Sequence, residues 1–217
     1  MTHSAVSRGN QTREALIRAA TQIIGQAGFD AASTRAIAEA AGANQALINY
    51  HFGGKEGLYQ AVIAAISAEM ETALVPLLDE LGAAMPLQHA AAVEAILKIF
   101  TVVIDQFSRE EMRDWSRIIA REQQDPTPAF EIVYERFMSR ILELLTSLVM
   151  TAAGGSISVE AARIRATLLV GQILVFVYAP AMTQRFLGWP HMGEEQKQKL
   201  LCELQHIVYG QFPEVLQ

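Results

Sequence analysis

The sequence predicts an all-α fold, with an N-terminal three-helix head followed by a larger helical body. Two observations point to it. Apolar residues recur at helical spacing through long stretches, and clusters of Pro and Gly fall between those stretches. The 217 residues contain no Asn-Gly or Asp-Gly hairpin signal and no sustained alternation of period two.

The first helix is expected over residues 12–27, with Thr12 as a possible N-cap. Its apolar stripe is Leu16, Ala19, Ala20, Ile23 and Ala27, and Gly28 follows as a C-terminal cap residue. A short second helix, capped by Ser33 or Thr34, sets Ile37, Ala38 and Ala41 on one face. Ala41-Gly42-Ala43 reads as a tight turn, and Asn44 can cap a short third helix ending near His51-Phe52. After Gly53-Gly54 a fourth helix starts near Lys55, aligns Leu58, Val62 and Ile66, and is expected to end near Pro76. Further helices are expected over 87–107, 109–124, 127–151, 158–187 and 194–212. Pro86, Asp125-Pro126, Gly154-Gly155 and Gly188-Trp189-Pro190 mark the breaks. The reading divides the chain into a head over 1–54, a connecting helix over 55–76 and a body over 77–217.

Composition narrows the function. Half of the residues are hydrophobic (51%), enough for a sizeable core. The net charge of −6 is uneven: residues 1–60 carry five basic and four acidic side chains, against 12 and 19 in the rest. A mildly basic head on an acidic body suits local contact with a polyanion, with affinity from placed contacts and from two heads acting together. Cys202 is the single cysteine, so no intrachain disulfide or cysteine zinc site can form, and it is expected to be a small buried apolar residue. The first 13 residues lack the apolar core of a signal peptide, which predicts a cytoplasmic location. Residues 166–182 are apolar for a length near the lower limit of a membrane span, but Thr167 and Gln172 interrupt them and Pro180 lies near their end. Burial by the protein's own core and by a second subunit is the expectation, with no membrane partner. No nucleophile–base pair, phosphate loop or metal-ligand cluster is present, and His89, His191 and His206 are scattered. Neither catalysis, nor a cofactor, nor a metal is expected.

The order helix, helix, glycine turn, short helix is the helix-turn-helix plan. Its last helix must stand proud to enter a major groove, so it needs one apolar edge to hold it and a free edge to read bases. Ile48 and Phe52, four apart, supply the anchor. Ala46, Leu47 and Tyr50 point away from it, with Gln45 and Asn49 on its flank. Gln and Asn can pair bidentately with adenine, and an outward Leu47 suits a thymine methyl. Asn49 can also serve as a cap at the helix end, Tyr50 can pack on the first helix, and His51 can be a satisfied boundary residue. Lys55 sits at a helix start, where a cation gains nothing from the dipole, and this favours a phosphate contact.

Thr12-Arg13, Ala19-Ala20, Gly28-Phe29, Thr34-Arg35, Ile37-Ala38, Ala41-Gly42, Tyr50-His51-Phe52 and Lys55-Glu56-Gly57-Leu58 stand at the spacing of the TetR family of transcription regulators, which this chain resembles. The resemblance implies phosphate contacts from Thr34, Tyr50, His51 and Lys55, a groove contact from Arg35, and base reading by Gln45, Ala46 and Leu47. Asn44 belongs to the same candidate interface. The family usually has Tyr after the buried position held by Ile48, where this chain has Asn49. The run from Asn49 to Lys55, and the later run from Arg121 to Phe130, resemble the CecR-like subgroup.

In that family the C-terminal helices form a ligand pocket and a dimer interface. On the helix expected over 109–124, Met112, Trp115, Ile119 and Glu122 share a face, and Glu122 either anchors a ligand or emerges into water at the helix end. Arg113, Arg117 and Arg121 form a stripe expected to be solvent-exposed and salt-bridged, with Arg121 the exception. Candidate ligand-binding residues are Trp115, Arg121, Glu122, Phe130, Tyr134, Met138 and Phe176, suited to a flat or bulky apolar small-molecule effector with a few polar groups. The expected function is a homodimeric, sequence-specific DNA-binding regulator, a repressor relieved by a small molecule. The alternative is a related DNA-binding protein that acts through a protein partner. The expected dimer interface uses the apolar stretch 166–182 together with Leu200, Leu201, Leu204, Ile207 and Val208.

Overall fold

The computed structural model describes residues 2–110 and 112–212, with side chains from Gly9 onward. Among the described residues there are eleven α-helices and one π-helical segment, and no strand. They form two compact units.

The first unit, Met1–Glu69 with Glu111–Val133, holds α1 (Thr2–Ala27), α2 (Thr34–Ala40), α3 (Ala46–Phe52), the first part of α4 (Lys55–Ala83), α6 (Met112–Gln124) and α7 (Pro128–Val133). Helix α1 begins ten residues before the sequence suggests, so Thr12 lies inside it rather than at its cap. Its fully buried line is Leu16, Ala20 and Ile24, flanked by Ile17 and Ala19; Ile23 is half-buried and Ala27 exposed. Gly28, at φ 90°, ends the helix. Leu58, Val62 and Ile66 of α4 are buried as their spacing predicts.

The second unit, Met70–Glu110 with Tyr134–Gln217, holds the rest of α4, α5 (His89–Phe107), the π-helical segment Tyr134–Met138, α8 (Ser139–Ala152), α9 (Val159–Tyr178), α10 (Pro180–Leu187) and α11 (Glu194–Gln211). Helix α4 does not stop at Pro76 but runs through it to Ala83. Proline costs one backbone hydrogen bond there. Burial of Leu74, Leu78 and Leu81 along the same helix holds the axis across the break. Pro180 does divide the expected 158–187 helix, and α10 begins on it. Cys202 is exposed rather than buried. Leu200, Leu204 and Val208 of α11 face their own unit, where α11 packs on α5.

The compact units do not follow the expected cut between a connecting helix and a body. Helices α6 and α7 pack with the head because α6 crosses α1 at Gly25. A Cβ on Gly25 would meet the Asp114 Cβ at 2.6 Å and its Cα at 2.9 Å, so the two backbones approach as closely as a glycine allows.

Candidate nucleic-acid interface

The Ser33 side chain caps α2 by accepting from the Ala36 amide at 3.4 Å. The turn after α2 passes through Gly42 at φ 62° and is closed by the Ala43 amide on the Ala38 carbonyl at 2.9 Å. Asn44 Oδ1 then accepts from the Ala46 amide at 2.9 Å and so defines the start of α3. A brace not foreseen from the sequence joins the two helix starts: Gln45 Nε2 donates to Thr34 Oγ1 at 2.9 Å. It sets the two helices' first turns against each other and leaves the Gln45 amide oxygen for other partners.

Helix α3 is held by Ile48, its one buried residue, at 1% exposure. Phe52 is half-buried and lies under the Arg13 guanidinium, 5.3 Å from its ring centroid. Ala46, Asn49 and Tyr50 are exposed, Tyr50 at 80%, so it does not pack on α1. Leu47 and His51 are half-buried, and the His51 ring meets Tyr50 edge-on at 5.0 Å. Arg35 is exposed and pairs with Glu39 at 3.0 Å, a surface pair weak enough to be exchanged for another anion. Lys55 Nζ donates to the Asp30 carbonyl at 3.1 Å and sits 4.6 Å from the Phe29 ring centroid.

The exit from α3 is sterically exacting. Gly53 takes φ 75°, and a Cβ on Gly57 would lie 1.8 Å from the Phe52 carbonyl oxygen. Only glycine permits α4 to start this close to the end of α3, which accounts for the third position of the Lys55-Glu56-Gly57-Leu58 run.

Two neighbouring residues on α6 grip this head. Arg121 Nη1 donates to the Ile24 carbonyl at 2.7 Å, so this carbonyl in the last turn of α1 accepts both from a cation and, at 2.8 Å, from the Gly28 amide. Glu122 is 2% exposed and does not emerge into water. One carboxylate oxygen accepts from the Tyr59 hydroxyl at 2.5 Å, and Thr127 donates to the group through its amide and hydroxyl at 3.0 Å. Burial, and then the bond to Glu122, raise the Tyr59 hydroxyl pKa well above its ordinary value, so it stays a donor. A cleft of about 670 Å³ beside this grip is lined by Phe29, Tyr59, Arg121 and Glu122 among others.

Of the candidate ligand residues, the structure places Trp115, Arg121, Glu122 and Phe130 in the first unit and Tyr134, Met138 and Phe176 in the second. Trp115 and Phe130 do not line the cleft. Tyr134 is 42% exposed, Met138 is half-buried, and Phe176 stacks on Trp189 at 6.2 Å. As its spacing predicts, Arg117 pairs with Asp114, at 3.2 Å. No cluster of His, Cys, Asp and Glu among the described residues could hold a metal ion.

Residues 16–62, from α1 into α4, match the family of bacterial regulatory proteins known as the tetR family. Residues 92–209 match the C-terminal domain of the HTH-type transcriptional dual regulator CecR. The CecR regulator of Shigella flexneri is 31% identical to this chain over 210 residues, 94% of each. The chain belongs to the TetR family, in its CecR-like subgroup. As a TetR-family member it is a DNA-binding transcription regulator, and α2 and α3 lie within the matched N-terminal helix-turn-helix domain. Among solved structures, AibR in complex with isovaleryl coenzyme A and operator DNA has a TM-score of 0.67 at 17% identity, with 93% of this chain and 98% of that one covered. FadR from Bacillus subtilis in complex with stearoyl-CoA has a TM-score of 0.63 at 14% identity, with 90% and 96% covered. At these identities the TetR likeness to both is one of fold.

Proposed function

We propose that this chain is a cytoplasmic, homodimeric repressor whose hold on operator DNA is released by a small molecule. The observation that carries the reading is the double grip of α6 on the head, through Arg121 on Ile24 and Glu122 on Tyr59. A ligand that moves α6 must disturb α1 and α4, which carry α2 and α3. Gln45, Ala46 and Leu47 read bases, with Arg35 and Asn49 at the groove edge. Thr34, Asn44, Tyr50, His51 and Lys55 hold the phosphates. Glu122, with its oxygens already occupied, serves the grip rather than the ligand, as does Arg121. Tyr134, Met138 and Phe176 are the candidate contacts for an apolar ligand in the second unit, where Phe176 stacks on Trp189. AibR and FadR were each solved with an acyl-CoA, one with a short branched and one with a long acyl chain, which makes acyl-CoA thioesters the first effectors to try.

Homodimerisation is supported by α9. It and α4 are long and apolar enough to cross a membrane, but only 22% of the apolar window of α9 is buried within the chain. Ile164 and Leu168 stand exposed on it, and Ile207 on α11. A second copy covering that face removes the apolar area from water.

Calorimetric titration of acyl-CoAs with and without operator duplex tests the reading. Linkage requires that an effector which releases DNA bind more weakly when DNA is present, by the same factor in both directions. Equal affinity with and without operator overturns effector control and leaves the DNA-binding assignment standing.

A further inference from the structure

We propose that Phe29, Tyr59 and Glu122 form a relay that positions Lys55 for binding a DNA phosphate. The proposal rests on Lys55 being a phosphate contact. The contacts are continuous within the first unit. The Lys55 ammonium sits 4.6 Å from the Phe29 ring centroid. The Phe29 and Tyr59 rings meet at 4.9 Å with a tilt of 52°. The Tyr59 hydroxyl donates to Glu122 at 2.5 Å, and Thr127 donates to the same carboxylate through its amide and hydroxyl at 3.0 Å.

A lysine at a helix start is poorly placed for its own helix, and its four-carbon stem is costly to order. Here the ring face and the Asp30 carbonyl order it beforehand, so little freedom remains to be lost when a phosphate arrives. An ammonium has three donors. One goes to Asp30, and the group can keep that hold while donating to a phosphate. The Phe29 ring lies under the cation because Tyr59 stands beside it, and Tyr59 is fixed by a carboxylate from α6. A residue far along the chain thereby sets the position of a cation on the reading head. The Arg121 bond to Ile24 fixes the end of α1, from which Phe29 follows within a few residues.

The test is the salt dependence of full-length protein binding to a mixed-sequence duplex. It is measured for wild type, Lys55→Ala, Phe29→Leu, Tyr59→Phe, and each of the last two combined with Lys55→Ala. Loss of one phosphate contact lowers the slope by about one unit. Lys55→Ala is expected to show that loss. Phe29→Leu keeps the Lys55 charge, so it is expected to leave most of the slope in place while weakening binding roughly three- to tenfold, the size of one lost cation–π contact. Tyr59→Phe, which keeps the ring and so guards against misfolding, is expected to lie between wild type and Phe29→Leu. Neither change has a further effect once Lys55 is alanine. If Lys55→Ala lowers the slope but Phe29→Leu weakens binding equally with and without Lys55, the ring is only packing and the relay is overturned. If Lys55→Ala leaves the slope unchanged, the phosphate assignment itself falls, and the relay with it.

Discussion

At the residue scale, glycines explain most of the positions that periodicity leaves blank. Gly57→Ala forces a Cβ into the Phe52 carbonyl. It is expected to lower stability by about 1–3 kcal/mol, read as the urea midpoint, and to weaken operator binding with it. Unchanged stability would mean that α3 and α4 can separate at no cost. Gly25→Ala meets Asp114 across the α1–α6 crossing and is expected to behave similarly. The Gly57 position belongs to a run legible in the sequence, but its reason was not, because the carbonyl it avoids is placed by the fold. Gly25 carried no signal, since its partner lies far along the chain. The Ile48 anchor was legible from helical spacing, and Asn44 was legible as a residue at the start of α3, although Gln45 takes the N-cap position and Asn44 closes a turn onto the Ala46 amide instead. Gln45 was legible as an outward residue but not as the brace to Thr34.

At the element scale, α6 carries the account. Glu122→Ala strands the Tyr59 hydroxyl and the Thr127 amide, so it is expected to cost about 1–3 kcal/mol. Tyr59→Phe removes one donor from a carboxylate that keeps another, so it should cost less. Hydrogen exchange in the first turns of α4 should rise more in Glu122→Ala than in Tyr59→Phe, and the reverse order would contradict the grip. The apolar face of α6 was readable from spacing, with Met112, Ile119 and Glu122 buried together. That an ionisable residue at the end of the stripe is buried was not readable, because its donors come from α4 and from the loop before α7. The end of α4 is not legible for a related reason: Pro76 breaks a helix locally, while Leu74, Leu78 and Leu81 sustain it through packing.

At the scale of the whole molecule, a second copy is expected on α9. Charge at Ile164 and Leu168 together should give folded monomers in sedimentation runs, with operator binding weakened because two heads no longer act together. Folded dimers from that double variant would place the interface elsewhere. Charge at Leu204 is expected instead to destabilise the subunit, since that side chain is 2% exposed within its own unit. The long apolar run of α9 was visible in the sequence, and its period alone could not say whether protein or lipid covers it. The central claim is that two copies of the α2–α3 head read a specific operator. Selection from a random duplex pool, with wild type and with Gln45→Ala/Leu47→Ala, tests it most directly. The account predicts that wild type enriches an inverted repeat whose half-sites lie one or more helical turns apart, and that the double variant loses base preference within each half-site while keeping the spacing. Enrichment of no repeat by wild type, or of the same repeat by the variant, would contradict it.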